Sequence, residues 1–477
     1  MKTPYAVVDV GTTNVKLFIY DEELRRTYFE AVRTGLISAV PGTVEQDPRG
    51  LYKAIRHLLS IARERGANIL GIATYRGSVI AWRKDGEPLT KNITWMDERG
   101  RQVVERFPPH LKLLSKMPIL SSILSPQTPV VLYKWMIDNV PGLHAMLRRG
   151  EAYVGTLESY IIYRLTGRYL ADATNAALTG LLDPRSFSWM GLPRRLLSLP
   201  IEPPELKDNV DNYGVVDGLE LRAVIADQQA AAVGEGCIKR GRCKVTHGTG
   251  TFVDVALGDR PKLVGGGLIP LVILKVGGLT IYGIEGFVPA TGTQVDWLIR
   301  NGFFKSYEEF DELALKSKPY EVLFIPGFAG MRVPKLPSSS GIIWGLSLEK
   351  DKSSVARAVI EGIAFSVKVI IEAIESKTGV KVDSVRADGG LSKSTALLKI
   401  MADVLGVPVM RQREVEMTGR GVALLLAVSE GAIRLEDLEK LCSFEARYEP
   451  EADPKIVEKL YQRWKRLVSL ASKQPLA

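Results

Sequence analysis

The stretch Tyr5-Ala6-Val7-Val8-Asp9-Val10-Gly11-Thr12-Thr13-Asn14-Val15-Lys16-Leu17-Phe18-Ile19-Tyr20 decides how the rest of the chain is read. Two apolar runs, Tyr5 to Val8 and Leu17 to Tyr20, flank Gly, Thr and Asn, the pattern of a tight β-hairpin. The backbone N–H groups and hydroxyls of such a turn can surround a phosphate, with Asp9 beside them to hold a divalent cation. By itself a Gly/Thr hairpin is usually only a turn. This one has an echo, since Lys244-Val245-Thr246-His247-Gly248-Thr249-Gly250-Thr251-Phe252-Val253-Asp254-Val255 repeats strand, Gly/Thr turn and strand. Two related hairpins, one per half, point to a duplicated fold that grips phosphates from both sides.

A second motif lies between the hairpins. Ala223 to Ile225 reads as a strand, and Ala226-Asp227-Gln228-Gln229-Ala230-Ala231 as its passage into a helix. A carboxylate at that junction is placed to meet a hydroxyl and take its proton; the plainer alternative is a helix N-cap.

The remaining sequence narrows the classes. A chain of 477 residues with 46% hydrophobic residues has room for two large domains with proper cores. Its 63 basic against 54 acidic residues give a formal charge of +9. The Lys and Arg residues alternate with acids, as in Glu22-Glu23-Leu24-Arg25-Arg26, with no compact basic tract interleaved with aromatics. That pattern is a solvated, charge-rich surface rather than a nucleic-acid site. Three cysteines without a Cys-x-x-Cys pair make no disulfide framework, and with no signal peptide the chain reads as cytosolic. Four scattered histidines argue against a zinc site or a Ser/His/Asp triad. There is no Gly-x4-Gly-Lys-Ser/Thr loop and no Gly-x-Gly-x-x-Gly after a strand, so if a nucleotide binds, it binds by another route. No apolar run reaches membrane-spanning length. A small molecule is the expected partner, without nucleic acid or membrane, and a homo-oligomer is left open.

Strand patterns fill the first 20 residues and return at Ile69 to Ala81, helical patterns dominate about 97 to 165, and a Pro-rich bend lies at Pro200 to Pro204. Gly234, Gly236 and Gly241 loosen the backbone and mark a domain boundary, giving 1–236 and 237–477. The last helix, about Pro454 to Ser472, is amphipathic.

Over nearly its whole length the chain resembles the FGGY carbohydrate kinases of the actin-like ATPase superfamily, the glycerol kinases most closely. The resemblance is carried in order by the two hairpins, Pro41-Gly42-Thr43-Val44-Glu45-Gln46-Asp47-Pro48, Thr174-Asn175-Ala176, Ala226-Asp227-Gln228-Gln229 and Ile325-Pro326-Gly327-Phe328. Gly341-Ile342-Ile343-Trp344-Gly345-Leu346 with Ala358-Val359-Ile360-Glu361, and Asp388-Gly389-Gly390 before an amphipathic helix, complete it. The resemblance implies an α/β protein of two actin-like (ribonuclease H-like) domains flanking a catalytic cleft, sugar bound by the first and ATP by the second, with closure on binding. It implies phosphoryl transfer from ATP with Mg²⁺. Asp227 would be the general base, Asp9 would hold Mg²⁺ through water with Asp227 also near the metal, and Thr12, Thr13, Asn14, Gly248 and Thr249 would bond the phosphates. Gly292, Asp296, Gly390 and Ser394 fall on nucleotide-contacting positions, Asp296 replacing a usual Gln and Ser394 a usual Asn.

The same resemblance marks Arg76, Trp95, Asp97, Gln127, Asp227 and Gln228 as sugar-pocket residues. Glycerol kinases carry Arg-Glu where this chain has Arg76-Gly77, and Tyr where it has Gln127; Leu132 stands in place of a signature Lys. Losing a carboxylate that bonds two hydroxyls costs glycerol about 1–3 kcal/mol. With Gly77 expected to leave room, a longer polyol, pentulose or related sugar fits better. Glycerol kinase proper is the nearest alternative. A non-kinase actin-like ATPase would have no need for Arg76, Trp95 and Asp227 together.

Overall fold

The computed structural model describes residues 4–473 apart from residues 320, 338 and 415. Its contacts divide the chain into two units. The first comprises Met1–Gly236, Leu271–Tyr282 and Glu416–Leu441, and the second Cys237–Pro270, Gly283–Val415 and Cys442–Ala477.

The first unit is built on a six-stranded sheet in the order Val210–Val216, Leu219–Ala226, Ile69–Thr74, Tyr5–Val10, Asn14–Tyr20, Arg26–Arg33. The middle three strands run parallel, and the flanking pairs are antiparallel hairpins. Tyr5–Val10 and Ile69–Thr74 are buried at every position, which is why they read as continuous apolar runs. The outer strand Arg26–Arg33 has no buried position.

Each face of this sheet is covered by a helix. Asp47 caps Pro48–Glu64 by accepting the N–H groups of Arg49 and Gly50, and Pro48 fits the first turn, where no N–H is needed. That helix lays Leu51, Ile55, Leu58 and Leu59 in one core with Ala6, Val8, Leu17, Ile19, Leu70 and Ile72. The opposite face, bearing Phe18 and Gly71, takes the helix Met417–Ser429. A Cβ on Gly71 would lie 2.3 Å from Val422 Cγ1, so this strand admits only glycine beneath the helix. A second core, around Val79, Ile93, Phe107, Leu132, Tyr133 and Met136, fills a subdomain of short helices and a four-stranded sheet. Within the span expected to be mostly helical, the short apolar run Ala152–Thr156 forms a strand instead, paired with Val79–Arg83.

The second unit carries the echo. Its seven-stranded sheet runs Ile269–Val276, Leu279–Val288, Thr251–Gly258, Arg242–His247, Ser384–Asp388, Val409–Gln412, Phe444–Tyr448. The segment Leu271–Tyr282 of its first two strands groups with the first unit. As in the first sheet, an antiparallel hairpin lies beside a parallel strand, here Arg242–His247 against Ser384–Asp388. The mixed α/β architecture and the duplicated hairpin are those the sequence predicts. The last helix, Pro454–Lys473, buries Val457, Leu460, Tyr461, Trp464 and Val468, a spacing of three and four residues.

Candidate active site

In the first hairpin Gly11 N–H closes the turn on Asn14 O at 2.9 Å, and Asp9 and Lys16 face each other across the strands. Asp9 is buried, and burial pushes its pKa up to about 7; Lys16 pulls it down, and the neighbouring carboxylates of Asp227 and Glu416 push it up. Lys16 is held by Glu416, Nζ to Oε2 2.7 Å, across 400 residues of sequence. The turn is fixed from behind by Gln46 of the Pro41–Pro48 motif. Its buried amide donates to Thr12 O at 3.1 Å and Thr34 Oγ1 at 3.2 Å, and its Oε1 accepts Tyr75 Oη–H at 2.7 Å.

Asp227 is the first residue of the helix Asp227–Gly234, directly after the strand Leu219–Ala226. It is not the N-cap, which is Ala226; its Oδ1 accepts Gln228 N–H at 2.7 Å. The strands leading to Asp227 and Asp9 run parallel with Ile69–Thr74 between them, so both acids stand at the same end of the sheet. The Thr174-Asn175 motif buttresses this end: Thr174 Oγ1 accepts Ala226 N–H at 2.9 Å, and Asn175 Nδ2 reaches Thr74 Oγ1 at 3.3 Å. Asp172 behind them accepts from Thr174, Asn175 and Asn209. Thr418 donates to the Asp227 carbonyl at 3.3 Å.

The central strand Ile69–Thr74 leads straight into Tyr75, Arg76 and Gly77. Arg76 Nη1 reaches Gln229 Oε1 at 3.5 Å, on the helix that Asp227 begins. Gly77 has φ +73°, and a Cβ there would stand 3.2 Å from Trp95 Cβ. The room expected at Gly77 is therefore narrow on that side: the left-handed backbone favours glycine, and a Cβ would need Trp95 to give by a few tenths of an ångström. Trp95 is 41% exposed beside it, an open aromatic face. Gln127 is exposed on a loop whose neighbour Pro126 packs its carbonyl against Gly100, where a Cβ would be 1.9 Å away. Asp97 is 1% exposed, and its carboxylate accepts from Val44 N–H, Arg99 N–H and the Arg99 guanidinium. It organises this loop from within, in place of the open acceptor expected for a substrate; Gln228 stays half-buried beside Asp227.

The second unit builds its own constellation. Between Arg242–His247 and Thr251–Gly258 the turn Gly248-Thr249-Gly250 is closed by Gly248 N–H to Gly250 O at 2.9 Å, with Thr249 exposed at its tip. Thr249 O accepts the N–H groups of Thr291 and Thr293 at the start of the helix Gly292–Arg300. Glycines pack backbone on backbone here. A Cβ on Gly292 would lie 2.2 Å from Gly248 O, and one on Gly389, at φ +85°, 2.5 Å from His247 O. His247 is fully buried, its Nδ1 bonded to Thr251 Oγ1 at 2.9 Å, and burial lowers its pKa to about 3, so it is neutral. Gly390 is open, with nothing within 4 Å of a Cβ. Asp296 is exposed and accepts the Tyr307 hydroxyl at 2.8 Å. Ser394 Oγ caps the helix Thr395–Leu405 through Leu397 N–H at 2.9 Å and donates to Asp311 Oδ1.

Residues 5–203 match the N-terminal domain of the FGGY family of carbohydrate kinases, and residues 243–430 its C-terminal domain. The chain belongs to this family. Glycerol kinase from Coxiella burnetii (strain RSA 331 / Henzerling II) is 30% identical, with 97% of this chain and 96% of that protein covered. Glycerol kinase from Thermus brockianus is 33% identical over 90% and 91%. Among solved structures, Plasmodium falciparum glycerol kinase with ADP superposes with a TM-score of 0.91 at 24% identity, covering 98% of each chain. A xyloylose kinase from Brucella ovis gives 0.87 at 24%, covering 98% and 99%. The kinase thus shares the two-domain actin-like fold and is an ATP-dependent carbohydrate kinase.

Within the first unit the structure brings Asp9, Asp227, Arg76 and Trp95 to the strand ends, and within the second it gathers Gly248, Thr249, Gly292, Gly390 and Ser394. Glu416, Gln46, Thr418 and Asp311 escape sequence reasoning because each partner is remote in the chain; only Gln46 lies in a motif singled out beforehand. Among the described residues no three or more His, Cys, Asp or Glu form a self-sufficient metal site, and no helix is long and apolar enough to cross a membrane.

Proposed function

We propose that this kinase transfers the terminal phosphoryl group of ATP to a hydroxyl of a sugar or polyol longer than glycerol, with Asp227 as general base. The observation that carries the proposal is the placement of Asp227 and Asp9 at one end of the parallel strands, with Arg76 and Gly77 just beyond the strand between them and Trp95 beside Gly77. A carboxylate at the start of a helix takes the acceptor proton, while Arg76 and the Trp95 face orient the carbon chain, so that positioning supplies most of the rate.

Asp9 and Asp227 would hold Mg²⁺. Two carboxylates suit a cation that completes its shell with water and phosphate oxygens, and the repulsion that Asp227 exerts on Asp9 is what a dication would relieve. When bound, it would neutralise the phosphate charge. Thr12, Thr13 and Asn14 of the first turn, and Gly248 and Thr249 of the second, present the donors a phosphate needs; Gly292 allows the second turn and a helix start to meet.

Glycerol is the competing acceptor, since the two sequence relatives above are named for it. The residue after Arg76 is glycine and supplies no acid, and its φ of +73° with Trp95 close by disfavours one there. A sugar with further hydroxyls for Arg76, Gln127 and Gln228 compensates. ADP release with glycerol, tetritols, pentitols, pentuloses and hexuloses tests this. We expect one of the longer acceptors to exceed glycerol in kcat/KM by about tenfold or more. A glycerol rate above all others would make this a glycerol kinase.

A further inference from the structure

Asn209, one residue before the strand Val210–Val216, is fully buried. On one side it meets Lys275 of the strand Ile269–Val276: its N–H donates to Lys275 O and its Oδ1 accepts Lys275 N–H, both at 2.8 Å. The second bond settles which way the amide faces, because only Oδ1 can accept an N–H. Nδ2 is thereby turned the other way, to Asp172 Oδ1 and Val224 O, each at 3.0 Å. Asn209 O accepts Val224 N–H at 3.0 Å, so this one residue holds both main-chain groups of Val224.

Val224 lies three residues before Asp227, on the strand that ends at Ala226. A second line reaches Ala226 itself. Asp172 Oδ1, which takes the Asn209 proton, also accepts Thr174 N–H at 2.8 Å and the Thr174 hydroxyl, and Thr174 Oγ1 accepts Ala226 N–H at 2.9 Å. The strand needs such support. Its pairing with Val210–Val216 shifts register between Val210 and Gly214, and its pairing with Ile69–Thr74 shifts between Leu221 and Ala223. Irregularities of this kind re-aim the side chains that follow, and the new aim has to be held. The hairpin that carries Lys275 is itself seated: Lys275 Nζ meets Asp208 Oδ1, and the Tyr282 hydroxyl donates to Pro184 O at 2.7 Å.

We propose that Asn209 is a positioning residue for the general base. Oriented by Lys275, it fixes Val224 and, through Asp172 and Thr174, Ala226, and so sets where the Asp227 carboxylate stands. Fully buried, it offers no face to a substrate and acts through Asp227. The inference rests on the reading of Asp227 as general base.

Asn209→Ala keeps the main-chain bonds and removes the amide. Steady-state kinetics well below the variant's melting temperature, calorimetric dissociation constants for ADP, and the double variant with Asp227→Asn test the inference on the full chain. A base displaced by about an ångström loses much of its advantage, so kcat should fall by about 10- to 100-fold. The KM for ATP and the ADP affinity should stay within about threefold of the parent. In the Asp227→Asn background the same change should cost no more than about twofold further, because the group it positions is gone. A kcat within about threefold of the parent beside a lowered melting temperature would make Asn209 structural alone. Losses that multiply in the double variant would place its effect elsewhere. Either result overturns the inference and leaves Asp227 as the base. Should Asn209→Ala not fold, Thr174→Val, near-isosteric and next in the line to Ala226, decides by the same measurements. Undiminished turnover in Asp227→Asn removes the general-base reading, and this inference with it.

Discussion

Asp227 and Asp9 are acids in unlike surroundings, and the difference sets their predicted behaviour. Replacing Asp227 by Asn keeps the shape and its acceptor for Gln228 N–H but removes the base. Turnover should fall by about 10²- to 10⁴-fold while calorimetry still detects nucleotide binding; undiminished turnover would remove the role assigned to it. Asp9 is held near pKa 7 by burial, against an ordinary aspartate value of 3.8. The folded protein therefore keeps a proton that the unfolded chain releases, and stability without magnesium falls as pH rises through that window. Glu158, buried near Asp172, is pushed up to about 8 by the same cause and adds a fall of its own, so the comparison is between parent and variant. Asp9→Asn should melt higher than the parent at pH 8 without magnesium. It should also lose the extra stability that magnesium with ADP gives the parent. Equal melting of the two across pH 5 to 8 would mean that Asp9 carries no burial penalty.

At the scale of elements, what is legible in the sequence is what local pattern dictates. The two hairpins, the strand that ends before Asp227 and the amphipathic last helix each announce themselves within about a dozen residues, because apolar alternation and Gly/Thr turns act locally. The supports of the site do not. Gln46 reaches Thr12 from another strand, and Glu416 reaches Lys16 from the far end of the chain. Gly77 shows the same limit from the other side: its sequence context reads as space, and only φ +73° and the Trp95 contact show a constraint. Asp97 likewise reads as an open acid, but the fold spends it on Arg99 and Val44. The strut at Gln46 yields a prediction. Gln46→Ala removes the donor to the Thr12 carbonyl and the acceptor of the buried Tyr75 hydroxyl proton, leaving that hydroxyl only the bond it accepts from Asn92, which should destabilise the protein by about 1–3 kcal/mol. The loosened turn should raise the KM for ATP more than it lowers kcat. A fall in melting temperature with an unchanged KM would make the strut structural alone.

At the scale of the whole molecule, the first unit is not a continuous stretch of chain. Its sheet has one face covered by Pro48–Glu64 and the other by Met417–Ser429, which arrives after most of the second unit has been traversed. The fit on that second face leaves no slack. A Cβ on Gly421 would stand 1.8 Å from Ala230 O, one on Gly234 2.4 Å from Met417 O, and one on Gly419 2.8 Å from the Phe18 ring. The helix also brings Glu416 to Lys16 and Thr418 to Asp227, so the same segment covers the core and steadies the acids. A fragment that stops at Gly236 would expose Phe18, Gly71 and their neighbours as a broad apolar sheet face. It should therefore aggregate or show the broad, poorly dispersed amide spectrum of a loosely packed chain. Joining residues 416–441 to it through a flexible linker should restore dispersion and a cooperative melt. A fragment 1–236 that melts cooperatively as a monomer without that helix would show that the sheet closes its second face by other means.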